Sequence, residues 1–217
     1  KRTDSGSLGT FTAEKTENLR IACACIDGLR IDPGQLFSFC ESIGPTTRRR
    51  GFQSALEMRD GRETAAPGGG LCQLANLLTL LAIDCDFAIV ERHRHSFDLF
   101  ADADRTVPFG IGATVFYNYV DLRLRNRLPF ATMLRAHVTD THLCAEIRAS
   151  EALPFTCRLV ETDHVFVRRN DGIYRCNKLW LDREADGQTT RSLLSENNCR
   201  VLYPADHLVT RDETSSS

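Results

Sequence analysis

The chain has 217 residues, 42% hydrophobic and 26% charged, a balance that excludes a disordered or fibrous class and suits one large domain or a domain with an extension. A net charge of −2 gives the chain as a whole no field for nucleic acid, and no stretch is long and apolar enough to cross a bilayer: the best, Leu74 to Ile83, is broken by Asn76 and Thr79. Nine cysteines and no visible signal segment favour a reducing, cytoplasmic setting, with most of the cysteines serving as small apolar residues.

Residues Lys1 to Gly9 are polar and glycine-rich, so a loose N-terminal segment is expected over 1–12. Thr12 is placed to cap a helix with Glu14 in its first turn, and Leu19, Ala22, Cys23 and Ile26 recur at helical spacing, predicting a helix over about 13–28. Pro33-Gly34 marks a turn, Leu36 to Phe39 a short strand, and 41–51 a loop in which Arg48-Arg49-Arg50 is a solvated basic run. A strand or hairpin through Phe52 to Met58 turns at Asp60-Gly61, and Ala65 to Gly70 is a flexible approach to a second helix over about 72–84. That helix is apolar nearly all round, the mark of a central, buried element.

After Cys85 the pattern changes to period two. Strands are predicted at Phe87–Arg92, His95–Phe100, Ala113–Val120, Phe130–Val138, Cys144–Ala149, Thr156–Glu161, Val165–Arg169 and Ile173–Leu181, with breaks at Asp140-Thr141, Asp171-Gly172 and Asp186-Gly187. The predicted fold class is α+β: two helices packed on a mostly antiparallel β-sheet over 13–150, a β-rich C-terminal extension over 151–205 and a disordered tail over 206–217.

The chemistry centres on Gly68-Gly69-Gly70-Leu71-Cys72-Gln73. Glycines let a backbone take φ > 0 and let a substrate approach it. A helix N-terminus carries partial positive charge and unsatisfied N–H groups, which push a thiol there toward thiolate and offer an oxyanion site, here at the N–H groups of Cys72 and Gln73. The alternative is a glycine loop that only turns the chain before a core helix, with Cys72 buried and inert. Downstream, Glu91-Arg92-His93-Arg94-His95-Ser96 places His93 and His95 on one face of a strand, where either can take the thiol proton and return it. Asp98 and Asp121 are the acids nearest in sequence that can orient a histidine. A bare surface strand is the plain alternative. A zinc site built from Cys72, His93 and His95 is a third reading, although no Cys-x-x-Cys pair supports it. No motif calls for a cofactor.

Several strings carry a family resemblance. Ile31-Asp32-Pro33-Gly34-Gln35-Leu36-Phe37-Ser38-Phe39, the glycine-rich cysteine motif through Leu74, Arg92 to Ser96, and Gly112-Ala113-Thr114-Val115 followed by Asp121-Leu122-Arg123 and Asn126 occur in one order across about 15–150. Together they resemble the VanW family. The segment with Tyr174-Arg175-Cys176-Asn177 and Glu196-Asn197 resembles the tail of its vancomycin-resistance-associated subgroup. The resemblance implies a cell-wall role at the cell envelope, either as a cysteine-dependent L,D-transpeptidase acting on peptidoglycan stem peptides or precursors, or as a non-catalytic accessory module that binds such precursors or a resistance partner. Carried over, Cys72 is the nucleophile and His95 the base, with Gly68, Gly69, Gly70, Gln73, Arg92 and Ser96 in the binding surround. One position departs: many members have aspartate before Ala-Thr-Val, where this chain has Gly112.

Overall fold

Thr12 adopts an extended conformation and its hydroxyl accepts the Lys15 N–H, starting helix α1 (Ala13–Ile26). In this computed structural model, which describes residues 2–7, 12–59, 62–94, 97–98, 107–205 and 208–212, Gly28 at φ +80° then turns the chain into strand β2 (Leu29–Ile31), so the helix stops at Ile26. The predicted stripe of Leu19, Ala22, Cys23 and Ile26 is buried, and α1 packs on strand β9 (Thr132–Val138). That strand lies inside a four-stranded antiparallel sheet of order β1-β10-β9-β2, where β10 is His142–Ala149 and β1 is Arg2–Ser7. Composition suggested a loose segment at β1. It pairs with β10 through its backbone as an edge strand, a role that leaves no apolar alternation to read.

Helix α3 (Leu71–Asp84) is the hub. Nine of its fourteen residues are buried, more than a one-sided amphipathic helix would need, so protein lies on more than one side of it. Leu74, Leu77, Leu78 and Leu81 join the main core with α1, β9 and β10. Ile83 turns to a second, smaller core with Ile111, Leu179 and Leu181. Its one buried hydroxyl, Thr79, donates to the Ala75 carbonyl at 2.8 Å and so costs little.

The last two core residues belong to a C-terminal sheet of three 14-residue antiparallel strands, β11 (Thr156–Arg169), β12 (Gly172–Ala185) and β13 (Gln188–Val201). Asp186 and Gly187 link β12 to β13 with φ of 52° and 72°, the left-handed pair of a type I′ hairpin turn. Strand β7 (Phe97–Asp98) runs parallel along β13, and β14 (Thr210–Asp212), inside the expected disordered tail, runs parallel along β11.

A smaller sheet, β3 (Leu36–Ser38), β8 (Arg123–Arg125) and β6 (Ala88–Glu91), and a hairpin, β4 (Ser54–Arg59) with β5 (Arg62–Pro67), complete the fold. The predicted turn at Asp60-Gly61 lies outside the described residues, with Arg59 and Arg62 paired across it. The expected loop 41–51 contains the end of a short helix, α2 (Phe39–Ile43), capped by Ser38, and a 3₁₀ turn at Arg48–Arg50. The strand predicted over 113–120 is corrected: only isolated bridges form, His93 with Thr114 and Phe116 with Val120. Only Ala113 of that stretch is buried; Val115, Phe116, Tyr117 and Val120 are half-buried and Tyr119 is exposed, so the alternation in sequence does not mark a ladder. Among the described residues, no helix is long and apolar enough to cross a membrane. The α+β class with a β-rich C-terminal part stands.

Candidate active site

The loop that presents Cys72 is held from two sides. A Cβ on Gly69 would lie 2.4 Å from the Ala55 carbonyl oxygen, so β4 lies directly on the loop backbone and only glycine fits. From α1, the fully buried Asn18 donates its Nδ2 to the carbonyls of Gln53 at 2.9 Å and Gly69 at 3.0 Å, and its Oδ1 accepts the Gln53 N–H at 2.7 Å. Gly70, at φ +103°, is the N-cap of α3 and carries no capping side chain. Cys72 is therefore the second residue of the helix, within the first turn, where the dipole favours negative charge.

The thiol is half-buried, and its Sγ donates toward the Val115 carbonyl at 4.0 Å. With Phe39, Cys40, Ile43, Leu71, Phe116 and Tyr117 it lines a cavity of about 50 Å³. The Gln73 N–H does not face that cavity as an unpaired donor. It donates to the Gly70 carbonyl at 3.0 Å, which corrects the expected oxyanion role for that group. The Gln73 side chain leaves its Oε1 buried without a hydrogen bond, as does Thr114 Oγ1.

The segment that carries Val115 over the thiol is fixed by residues of other elements. Arg92 Nη1 donates to the carbonyls of Gly110, Ile111 and Gly112 at 3.0, 3.0 and 3.1 Å. This guanidinium, expected in the binding surround, is spent on positioning backbone. Burial first, and Arg94 second, pull its pKa down to about 10, which leaves it charged at neutral pH. Asn76 of α3 accepts the Ala113 N–H at 2.6 Å, and Thr114 N–H donates to the His93 carbonyl at 2.8 Å. At Gly112, a Cβ would come 3.0 Å from Asn76 Oδ1, so the amide of Asn76 occupies the space a side chain there would enter.

His93 is thereby brought opposite Thr114, one residue from the backbone that touches the thiol. Its imidazole is exposed, with Nε2 3.1 Å from Glu91 Oε1. Glu91 is the acid that meets a histidine, and sequence reasoning had passed over it. Asp121 has other work: its carboxylate accepts Ser38 Oγ–H at 2.6 Å and the N–H groups of Cys40 and Leu122 at 2.8 Å each, fixing the start of α2. Asp98 lies with the C-terminal sheet, 2% exposed, accepting the Tyr203 hydroxyl at 3.0 Å with Arg175 Nη1 at 3.5 Å. These bonds make it an anchor of β7. His95 and Ser96 lie outside the described residues. Among the described residues, no group of three or more His, Cys, Asp and Glu side chains is placed to hold a metal.

Cys40, also missed, shares the thiol cavity. Burial first, then the Asp121 carboxylate, pushes its thiol up to about 12, so it stays protonated at neutral pH. It also lines a second, adjoining cavity of about 410 Å³ with Ser38, Glu41, Glu91, Tyr117 and Asp121.

This arrangement of glycine loop, half-buried thiol and His93 falls within a recognised family segment: the family described as VanW like protein matches residues 14–148, well over half of the chain. The chain belongs to the VanW family. It is similar to the vancomycin B-type resistance protein VanW of Enterococcus faecalis, 25% identical over 197 residues that cover 89% of this chain and 72% of that protein. It is also similar to the uncharacterized protein YoaR of Bacillus subtilis, 29% identical over 125 residues, 56% of this chain and 39% of the relative. No solved structure matches the chain. The VanW match takes in α1, α2, α3, both small sheets and nearly all of β10, that is, every element that shapes the Cys72 cavity.

Proposed function

We propose that the protein is a cysteine-dependent acyl-transfer enzyme of the L,D-transpeptidase kind, acting on peptidoglycan stem peptides or precursors and linked to glycopeptide resistance, as the name of its Enterococcus faecalis relative suggests. The observation that carries the reading is the setting of Cys72: second in a helix, half-buried, behind three glycines, at the wall of a cavity. The helix dipole lowers the cost of the thiolate there. A histidine, His93 or His95, takes the thiol proton, with His95 assigned by the family resemblance and His93 held by Glu91. The sulfur attacks the peptide carbonyl, a C–S bond forms, the C–N bond breaks, and the leaving amine takes the proton back from the imidazole. An acceptor amine, or water, then displaces the sulfur.

The test is the pH dependence of Cys72 alkylation, followed by peptide mass spectrometry against the other eight cysteines. The reading requires the fastest labelling at Cys72, with a midpoint well below the thiol value of roughly 8.5, and a covalent acyl adduct that Cys72→Ala abolishes. Turnover of a stem peptide undiminished in Cys72→Ala would sink it.

A second reading is a non-catalytic module that binds peptidoglycan precursors or a resistance partner. Two observations favour it: glycine at 112, with Asn76 in the adjoining space, and the commitment of the Gln73 N–H to Gly70. It requires precursor binding by calorimetry to survive Cys72→Ser, with no thioester in the native protein.

A further inference from the structure

The cavity at the thiol, about 50 Å³, holds a few waters and no more. Acyl transfer has two reactants, and the second needs a place of its own within reach of the first. The adjoining cavity of about 410 Å³ is in the range of small-molecule sites. The two share Cys40 and Tyr117 as a common wall, so a chain seated in the larger one comes up against the thiol cavity.

Its lining then gives the ligand a sign. Glu41, Glu91 and Asp121 contribute carboxylates, Tyr117 and Tyr119 aromatic rings, and among the described residues no lysine or arginine lines it. Arg123 is an opposing cation, its Nη1 4.0 Å from Glu91 Oε2. Asp121 is saturated by Ser38, Cys40 and Leu122, so it contributes field more than contact. Glu41 is exposed; Glu91 Oε1 accepts the Asp121 N–H at 3.3 Å and lies 3.1 Å from His93 Nε2, which donates to it and leaves Nδ1 as the imidazole nitrogen that can accept a proton. We propose that this second cavity is the acceptor subsite, that it takes a primary amine, and that Glu41 and Glu91 hold the incoming ammonium while His93 accepts its proton.

The inference rests on the acyl-transfer reading for its chemistry, and the step balances. The ammonium gives one proton to the imidazole. The amine nitrogen attacks the thioester carbonyl of acylated Cys72, forming a C–N bond. The C–S bond breaks, the sulfur leaves as thiolate, and the nitrogen loses its second proton to solvent. Water brings no charge for the carboxylates to hold, so the lining favours aminolysis over hydrolysis.

Two measurements on the full chain test it. The first is calorimetry with 1,5-diaminopentane and with its neutral counterpart, 1,5-pentanediol. The diamine should bind at least about tenfold more tightly, and Glu41→Gln and Glu91→Gln should each weaken it by roughly three- to tenfold. Glu41→Lys, at an exposed site where misfolding is not expected, should abolish diamine binding. Equal binding of diamine and diol, or undiminished diamine binding in Glu41→Lys, overturns the subsite. The second is the fate of Cys72 acylated by a small thioester. Amide formation should saturate with diamine in the native protein and lose saturation in Glu41→Lys; a linear, unsaturable dependence in both overturns the inference. If Cys72 does not acylate at all, the acyl-transfer reading fails, and calorimetry alone decides whether the cavity selects amines.

Discussion

Asn18 on α1 donates to the carbonyl of Gly69, 51 residues away in sequence, at 3.0 Å. One buried amide thus ties the first helix to the loop that presents the thiol, and its remaining bonds, to Gln53, fix the start of β4 against the same loop. Asn18→Ala leaves two carbonyls and one N–H without that partner. The expected cost is about 2–4 kcal/mol, read as a lower urea midpoint at unchanged slope, together with slower, less pH-selective alkylation of Cys72.

Gly69→Ala attacks the loop from the opposite side. Its new methyl would sit 2.4 Å from the Ala55 carbonyl oxygen, which belongs to a paired strand and cannot turn away. We expect a loss of about 2–3 kcal/mol, at the upper end for overpacking, because the obstacle is backbone. Gly187→Ala, where a Cβ would meet nothing within 4 Å but φ is +72°, should cost only about 1 kcal/mol. Thermal melts of the two variants separate steric from conformational strain.

Arg92→Met keeps the length of the side chain and removes the donor. Three carbonyls, of Gly110, Ile111 and Gly112, then lose one shared N–H group. The variant should lose about 2–3 kcal/mol and show faster amide hydrogen exchange over 113–116, the stretch beside Cys72 that follows directly on the three residues Arg92 holds. Unchanged exchange there would remove Arg92 from the positioning of Val115.

Alkali should unfold the protein in a defined window. Cys23 and Cys40 have thiols raised from the ordinary value near 9 to about 12, by burial first and by the carboxylates of Asp27 and Asp121 respectively. A folded-state pKa above the unfolded value means a contribution present in full below pH 9 and lost as pH rises toward 12. Arg92, lowered to about 10, acts with the opposite sign as pH climbs from there toward 12.5. The decline is therefore cleanest between about pH 9 and 10, and denaturation midpoints across that interval check it. Cys23→Ala, which removes one of the two thiols, should flatten the slope.

What the sequence made legible was local. A largely apolar run behind three glycines announces a buried helix with a special start, and Leu71–Asp84 is that helix. The same reading could not name the side chains that shape the start, because Asn18, Asn76 and Val115 arrive from far away along the chain. Strand β13 escaped notice since most of its residues are exposed and no alternation survives. Strand β8 was hidden for a related reason, a single buried Leu124 between two arginines. Asp98 and Asp121 were chosen as histidine partners by proximity in sequence; His95 lies outside the described residues, and for His93 pairing in space selects Glu91, two residues earlier at the end of β6. The signal for it was present: residues two apart in an extended chain share a face.

Helix α3 is shared property. Ile83, 3% exposed, rests on Leu179 and Leu181 of the C-terminal sheet, as does Ile111, the middle carbonyl held by Arg92. A chain cut near residue 150 would keep the whole segment matched by the family, 14–148, and still uncover that flank to water. Uncovering two buried isoleucines costs about 3–6 kcal/mol, a large share of what holds a domain together. The segment matched by the family thus stops short of the residues that cover this flank of α3, and the long hairpins supply that cover.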